Sequence, residues 1–275
     1  MNELDVATEI AYGAGRMIMK DHFGKKEPVI IKPDTTKLTR ADLAANQFII
    51  GELEKRFPTH SILSEEKKEN GKDLERRLKN PHIWIADPVD GSEDMDNHSK
   101  DFAVMISHVF EGIPHSAAVY LPAYDKMFTA EKGKGAYLQD PKEGKRQIRV
   151  SQNSIGTSII SISRKTYDYE NARGLTMRLG IRGFIREGSR GVRICSVAEG
   201  RADFTFVNDT KKSGEWDLCA PELILQEAGG KTTTYYDNPS RYNKPIPGLP
   251  EGAVMSNKIV HSAVLPLLRE YVPLK

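Results

Sequence analysis

The stretch HIWIADPVDGSEDMD, residues 82–96, joins an apolar run to a turn that contains proline, glycine and several acidic side chains. The run Ile83–Ala86 is typical of a short buried strand. Asp87 and Asp90 follow it directly. Carboxylates this close to one another repel, so a positive group is expected between them. The sequence therefore predicts a strand that ends at a cation-binding turn.

The ligands that this turn offers suit Mg²⁺, which binds a few carboxylates together with waters and substrate phosphate. The proline stiffens the turn, so that Asp87, Asp90 and the backbone carbonyl of Val89 could face one point. Gly91 lets the chain pass close to a ligand. If Gly91 and Ser92 open a helix, their N–H groups provide a seat for phosphate. Acids for a metal beside amides for phosphate indicate a metal-dependent phosphatase.

Further acids stand where other predicted elements start or stop. Glu65 and Glu66 follow the strand SIL, Asp42 lies in the first turn of a helix, and Asp217 starts a later helix. Asp42 and Asp217 could equally be first-turn acids favoured by the helix dipole. The glutamates could be surface charge, and Ser92 could be an ordinary N-cap. Considered one at a time, these residues leave both interpretations open.

The charge balance argues against two classes of partner. The chain has 275 residues, with 40 Lys and Arg against 38 Asp and Glu. No global field therefore favours nucleic acid or an anionic membrane. The N-terminal residues lack a basic-then-apolar signal pattern, and no apolar run approaches the ~20 residues of a membrane span. We expect a cytoplasmic protein that acts on a small phosphorylated metabolite.

Several common site motifs are absent from the sequence. GKGKGAY lacks the P-loop spacing, EGSRG does not meet G-x-S-x-G, and DMDNH lacks the glycine and the closing glutamate of an EF-hand. Cys195 and Cys219 have no zinc-type spacing, and we expect both to be buried thiols. The 7 histidines are scattered without H-E-x-x-H, so each is predicted to be structural or exposed.

The hydrophobic pattern predicts a mixed fold. Residues 1–20 have the apolar spacing of an amphipathic helix, and a second helix follows Thr39 as its N-cap. Residues 83–150 form short β-rich runs separated by turns, which predicts an antiparallel sheet. Helices and strands then alternate, so the class is α/β or α+β. We expect one compact unit with a metal-binding α+β half, 1–150, and an α/β half, 151–275.

Three segments of the chain together resemble the inositol monophosphatase superfamily of Mg²⁺-dependent, lithium-sensitive phosphatases. They are SEE (residues 64–66), WIADPVDGS (84–92) and WDLCAPELILQEAGG (216–230), in the family's order and at its spacing. D-P-x-D-G alone is a weak motif, but the three segments together are specific. The resemblance implies a layered αβαβα fold and hydrolysis of phosphate monoesters. Members of this family are often dimeric, and the sequence neither supports nor opposes a homodimer.

The resemblance also implies a set of metal ligands. Glu66, Asp87 and the carbonyl of Val89 would bind one Mg²⁺ ion. Asp87, Asp90 and Asp217 would bind a second. A further acid would lie near a third metal and its water, so two or three ions are expected.

That further acid corresponds to Asp42, in LTRAD. Ser92 stands where the family usually has threonine, whose hydroxyl helps to orient the attacking water. Serine keeps the hydroxyl but lacks the methyl group, so the orientation of the hydroxyl is less constrained. By the same resemblance, the amides of Gly91 and Ser92 would hold the phosphate.

The segment GSRGVRIC, residues 188–195, matches the substrate side of the family's site. Gly188 and Ser189 would line the leaving-group pocket, with Arg193 as a further candidate. Lys32 matches a basic residue near the metals only loosely.

The implied reaction is direct in-line attack of water, without a phosphoenzyme. Within the family, the sequences of some predicted strands and helices most resemble those of 3′(2′),5′-bisphosphate nucleotidases of the CysQ type. These enzymes convert 3′-phosphoadenosine 5′-phosphate (PAP) to AMP. The segments YLPAYDKMFTAEKGKGAY and WDLCAPELIL carry that similarity. Inositol-1-monophosphatase and a fructose-1,6-bisphosphatase-like sugar phosphatase are the alternatives. A non-catalytic phosphometabolite-binding protein is a second alternative.

Overall fold

The computed structural model describes residues 2–21, 23, 30–31 and 37–275. Lys32 lies outside the described residues. Within those ranges, no helix has both the length and the apolar composition needed to cross a membrane. The helices are α1 (Glu3–Asp21), α2 (Arg40–Arg56), α3 (Gly71–Lys79), α4 (Ser92–Asp96), α5 (Tyr169–Leu179), α6 (Arg190–Ala198), α7 (Glu215–Glu227) and α8 (His261–Tyr271).

The two N-terminal helices form as the sequence predicts. Along α1, the residues at three and four residue steps, from Val6 to Ile18, are buried. Helix α2 begins after Thr39, whose Oγ1 accepts a hydrogen bond from the Asp42 N–H. The Asp42 carboxylate in turn accepts from the Thr39 N–H at 2.7 Å. This reciprocal capping satisfies backbone donors at the start of the helix.

A seven-stranded sheet follows along the chain, in the order β3-β4-β5-β6-β7-β8-β9. Strands β3 and β4 are parallel. Each later pair, from β4 to β9, is antiparallel, which confirms the predicted antiparallel sheet over this region. The strands are β3 (Ser61–Ser64), β4 (His82–Asp90), β5 (Ala103–Phe110), β6 (Ile113–Leu121), β7 (Lys126–Glu131), β8 (Ala136–Asp140) and β9 (Gly144–Ile148); β1 (Ile30–Ile31) and β2 (Lys37–Leu38) pair separately.

A second sheet has the strand order β11-β10-β12-β14-β13. Strand β10 is parallel to both β11 and β12, whereas β14 runs antiparallel to its two neighbours. The hydrophobic pattern did not predict β11, because its sequence GFIRE includes a glycine and two charged residues. The strand lies at the edge of the sheet, and most of its residues are half-buried. The strands are β10 (Ile159–Ser163), β11 (Gly183–Glu187), β12 (Phe204–Val207), β13 (Lys231–Thr233) and β14 (Ala253–Ser256).

The helices and sheets stack in alternating layers. Helices α1 and α2 cover one face of the larger sheet and share a hydrophobic core with it. Helices α6 and α7 fill the space between the two sheets, where the buried thiols of Cys195 and Cys219 also lie. Helices α5 and α8 pack on the outer face of the smaller sheet. The result is the expected αβαβα order.

Candidate active site

The acidic turn is created by an irregularity in strand β4. Asp87 pairs with Met105 of β5, but Asp90 pairs with Ala103, so β4 contains one extra residue between the two acids. Pro88 lies inside this bulge, where it has no N–H to donate to the ladder. A bulge bends its strand and changes the direction of nearby side chains. The turn therefore directs both carboxylates towards the first residues of helices α6 and α7.

Asp87, Asp90 and Asp217 meet at this point. All three are buried, and ligand oxygens of the three lie within 4.8 Å of one another. The Oδ2 atom of Asp87 has no hydrogen-bond partner among the described residues, although it is inaccessible to solvent. An unsatisfied carboxylate oxygen in a buried acidic cluster is a position for a metal ion. The all-oxygen ligand set fits Mg²⁺.

The protein holds two of these acids with backbone N–H groups. Asp90 accepts from Gly191 N–H at 2.5 Å and from Arg190 N–H at 3.3 Å, at the start of α6. Asp217 accepts from Gly214 N–H at 2.6 Å, at the start of α7. Both alternatives for Asp217 therefore apply, because it caps its helix and also faces the acidic cluster. Two helix starts thus position the carboxylates.

The acids strongly disfavour simultaneous ionisation. Burial raises the pKa of Asp87 well above its usual value, and the charges of Glu65 and Asp90 raise it further. Burial likewise raises the pKa of Asp217 to about 7, against the lowering effect of Arg190. A divalent cation would remove this repulsion. The site is thus arranged for a cation rather than for the bare carboxylates.

The structure brings Glu65 to this cavity, whereas Glu66, the residue predicted from the sequence, is not among the lining residues. The Glu65 N–H donates to the Ala86 carbonyl at 3.3 Å, so the chain continues beside β4 for one residue past the end of β3. That contact places Glu65 next to Asp87. Glu65 and Glu66 lie in a turn that the Lys67 N–H closes by donating to the Ser64 carbonyl at 3.2 Å. Only Glu65 of the two reaches the cavity, so the geometry favours Glu65 over the predicted Glu66 as the candidate metal ligand.

Asp42 and Ser92 form a pair at the edge of the acidic cluster. The Ser92 hydroxyl lies 2.5 Å from Asp42 Oδ1 and 3.0 Å from the Val89 carbonyl oxygen. Asp42 also caps α2 through Thr39, so it too has both a structural and a site position. Ser92 is not an N-cap, because α4 begins at Ser92 and Gly91 holds the cap position.

Gly91 has a φ of 92°, a conformation that side chains rarely allow. A Cβ at this position would lie 2.8 Å from the Ser189 Cβ and 3.1 Å from the Asp101 carbonyl. Glycine is therefore required where β4 turns into α4. Gly91 and Ser92 both line the cavity, as the predicted phosphate seat requires.

The predicted substrate-side residues Gly188, Ser189 and Arg193 also line the cavity. Gly188 N–H donates to Asp101 Oδ2 at 3.0 Å, and Ser189 caps α6. The Arg193 guanidinium is buried and donates to the Phe206 carbonyl at 3.1 Å. Its Nε has no hydrogen-bond partner in the part of the chain that the structure describes. Burial and the charge of nearby Arg190 lower the pKa of Arg193 to about 10.

Sequence reasoning missed several cavity residues. Lys165 Nζ lies 2.9 Å from Glu93 Oε2 and 3.5 Å from Asp94 Oδ2. Asp94 is buried in α4. Arg190 Nη1 lies 3.1 Å from Asp217 Oδ1. Arg190 could have been found from its place in GSRG, whereas Lys165 lies in a polar segment without a motif. The cavity has a volume of about 330 Å³, and its further lining residues include Tyr167, Phe206, Asp209 and Lys212.

Comparisons with known proteins match this chain over most of its length. The model of the inositol monophosphatase family matches residues 2–272. A fructose-1,6-bisphosphatase/inositol-1-monophosphatase of Aquifex aeolicus is 30% identical over 284 residues, covering 98% of this chain and 96% of the relative. The inositol-1-monophosphatase of Rhizobium meliloti is 31% identical over 239 residues, covering 84% of each.

Solved structures are similar along nearly the whole chain. The IMPase of Thermotoga maritima superposes with a TM-score of 0.81 and 25% identity over 98% of both chains. CysQ of Bacteroides thetaiotaomicron, a bacterial member of the family, has a TM-score of 0.76 and 25% identity, covering 92% of this chain and 97% of that one. The matching family model, the shared fold and the buried acidic cluster lead to one conclusion: this chain belongs to the inositol monophosphatase family, whose members are phosphatases of phosphate monoesters and are generally Mg²⁺-dependent.

Proposed function

We propose that this phosphatase prefers a substrate with a second anionic group besides the phosphate that it removes, and that PAP, cleaved to AMP, is the first candidate. The observation that carries this proposal is Arg193. It is a buried cation with an unsatisfied Nε, and it shares a cavity with the acidic cluster. A buried guanidinium is strongly stabilised by hydrogen bonds to an anionic partner. The proposed partner is the part of the substrate that is not cleaved.

The roles at the phosphate end follow from the geometry. Asp87, Asp90 and Asp217, together with Glu65, would hold two or three Mg²⁺ ions. Bound there, Mg²⁺ supplies electrostatic stabilisation of the charge that develops on phosphate and water oxygens. The Gly91 and Ser92 amides would orient the phosphate.

The Asp42–Ser92 pair would orient the attacking water. The Ser92 hydroxyl has one hydrogen, and Asp42 Oδ1 at 2.5 Å is the acceptor that it favours. A hydroxyl that donates to a carboxylate keeps its lone pairs available for a water hydrogen. Water can then attack in line with the leaving oxygen, without a covalent intermediate on the protein.

The far side of the cavity suits a nucleotide. Lys212 also lines the cavity and adds positive charge to that of Arg193, whereas Lys165 is paired with Glu93 and Asp94. The Tyr167 ring also lines the cavity and packs edge-on against Phe206, with ring centroids 6.2 Å apart. Aromatic faces bind nucleobases by stacking.

A sugar bisphosphate is the second candidate. The Aquifex aeolicus relative, whose name includes fructose-1,6-bisphosphatase and inositol-1-monophosphatase, matches 98% of this chain. Fructose 1,6-bisphosphate also carries a second phosphate for Arg193, whereas inositol 1-phosphate does not. A protein that binds such metabolites without cleaving them is the remaining alternative.

The experiment is phosphate release from PAP, fructose 1,6-bisphosphate and inositol 1-phosphate in parallel, with Mg²⁺ and with EDTA. We expect Mg²⁺-dependent release with the highest kcat/KM for PAP. Arg193→Gln should raise KM for both bisphosphates by more than about tenfold and leave inositol 1-phosphate hydrolysis within about threefold. Equal effects on all three substrates would exclude the proposed role of Arg193. A preference for inositol 1-phosphate would exclude the bisphosphate proposal, and no release from any substrate would favour the binding protein.

A further inference from the structure

Arg190 places a positive charge at the acidic cluster. It is the first residue of α6, and its Nη1 lies 3.1 Å from Asp217 Oδ1. Its backbone N–H donates to Asp90 Oδ1 at 3.3 Å. The side chain lines the same cavity as these two acids. One arginine therefore contacts two of the three carboxylates that meet at the candidate metal centre.

The two sides of this cluster differ in their partners. On the Asp217 side, Oδ2 accepts from the Gly214 N–H at 2.6 Å, and Oδ1 faces the guanidinium of Arg190. On the Asp87 side, Oδ2 has no hydrogen-bond partner within the ranges that the structure describes. Asp217 therefore has a cation from the protein itself, whereas Asp87 Oδ2 depends on a cation from solution.

A second contact fixes the position of the guanidinium. Arg190 Nη2 donates to Ser213 Oγ at 2.9 Å, and Ser213 Oγ donates to the Asp209 carbonyl at 2.6 Å. Only 23% of the Arg190 side chain and 4% of the Asp217 side chain are exposed, so salt and water screen this pair weakly. The Arg190–Asp217 pair is thus part of the site, unlike a mobile ion pair on the surface.

A metal ion bound to Asp217 Oδ1 would share that oxygen with Arg190. Positive charges a few ångströms apart repel strongly at the effective dielectric constant of a partly buried site. The ion must therefore displace the guanidinium from Oδ1 or bind against its charge. Both routes lower the affinity for a cation beside Asp217. The charge of Arg190 also interacts with Glu65 and Asp90, so its effect extends across the cluster.

We propose, on the basis of the metal centre proposed above, that Arg190 is a positioning residue that serves as an internal cation of the centre. It holds Asp217 and lowers the affinity for a divalent ion on that side of the cluster. Arg190 thereby sets the concentration of divalent cation at which the centre fills. Removing its charge should increase metal affinity. A purely structural role of Arg190 predicts the opposite, because an Asp217 side chain without support would bind an ion less tightly.

The test counts bound Mn²⁺ ions by electron paramagnetic resonance of the free ion, with the full chain and no substrate. Carboxylate ligands suit Mn²⁺ as well as Mg²⁺. Arg190→Met keeps an aliphatic chain without the charge, and it should lower the Kd of the more weakly bound ion at least about tenfold. Arg190→Lys keeps the charge, so its Kd should stay within about threefold of the starting protein.

The matched control is Arg56→Met. Arg56 forms ion pairs with Glu9 and Glu52 at the end of α2, so the variant loses the same charge from an ion pair outside the cavity. Its Mn²⁺ affinity should equal that of the starting protein. A gain in Arg56→Met as large as that in Arg190→Met would assign the effect to net charge and overturn the proposal.

Unchanged or weaker Mn²⁺ binding by Arg190→Met, with a circular dichroism spectrum of a folded protein, would also overturn it. If Arg190→Met does not fold, Arg190→Gln replaces it in the same titration, with the same expected gain. Absence of Mn²⁺ binding from both the starting protein and the Arg190 variant would overturn the metal centre as well. The preference for PAP does not enter this titration, so its failure would be seen separately in the phosphate-release experiment.

Discussion

Asp87 and Glu222 are both fully buried carboxyl groups, but their surroundings differ. Glu222 accepts hydrogen bonds from the Tyr242 hydroxyl and from Gln226 Nε2, the latter at 2.7 Å. Asp87 is instead surrounded by other acids, and its Oδ2 has no partner among the described residues. Neutral donors satisfy the first carboxyl group within the protein. The second needs an external cation, which distinguishes a structural buried acid from a functional one.

Replacing each acid by its amide should separate the functional role of Asp87 from the structural role of Glu222. The loss of activity in Asp87→Asn is the largest effect that we expect. Asp87→Asn should lower kcat by at least about 10³-fold, because it removes a charge that the metals share. Glu222→Gln has a similar shape and should change kcat less than about threefold. Phosphate release under saturating Mg²⁺ measures both. Near-normal turnover of Asp87→Asn would contradict the assigned centre.

Removing the Ser92 hydroxyl should lower kcat less than removing a metal-binding carboxylate does. Ser92→Ala should lower kcat by about 10²-fold with KM little changed, because water loses one orienting group. Ser92→Thr keeps the hydroxyl and is the matched control, with activity within a few fold of the starting protein. Steady-state kinetics on both variants provides the measurement. A normal kcat for Ser92→Ala would remove the hydroxyl from the mechanism.

Glu222 should produce a distinct pH dependence of stability. Burial raises its pKa from 4.5 to about 7, so the folded state keeps a proton that the unfolded state releases. The free energy of unfolding should therefore fall as pH rises from about 4.5 to 7, by up to about 3 kcal/mol. Urea unfolding at several pH values checks this. Burial also raises the pKa of Asp87 and of Asp217, so these acids add a slope of the same sign in this window. Glu222→Gln should therefore make the curve shallower without flattening it, and an unchanged slope would show that the other acids alone cause it.

The smallest effect concerns stability without metal. Asp87→Asn should stabilise the metal-free protein by about 1–2 kcal/mol, because it removes a repelling carboxylate. Added Mg²⁺ should then raise the Tm of the unmodified protein and of Glu222→Gln, but not that of Asp87→Asn. Thermal unfolding with Mg²⁺ and with EDTA measures the difference. Equal Mg²⁺ stabilisation of all three proteins would place the ion elsewhere.

Local rules predicted much of the fold and part of the site. The capping of α2 by Thr39 and the strand that leads into Asp87 depend on neighbours in the chain, and both were found, although β4 continues through its bulge to Asp90. The choice between Glu65 and Glu66 was not predicted, because both residues lie in one turn and only the packing of that turn beside β4 decides which side chain reaches the cavity. Lys165 was missed since its contacts with Glu93 and Asp94 join distant segments.

By itself, the sequence determined the order of most helices and strands, with β11 as an exception, and also the acidic turn and the family to which the chain is similar. These follow from short-range periodicity and from motifs that are contiguous in the chain. Only the tertiary structure decided which side chains meet. His60, His82 and His108 have no regular spacing and were predicted to be structural or exposed, yet the register of three strands places their rings together. Strand register is set by packing of whole sheet faces, which a local pattern does not contain.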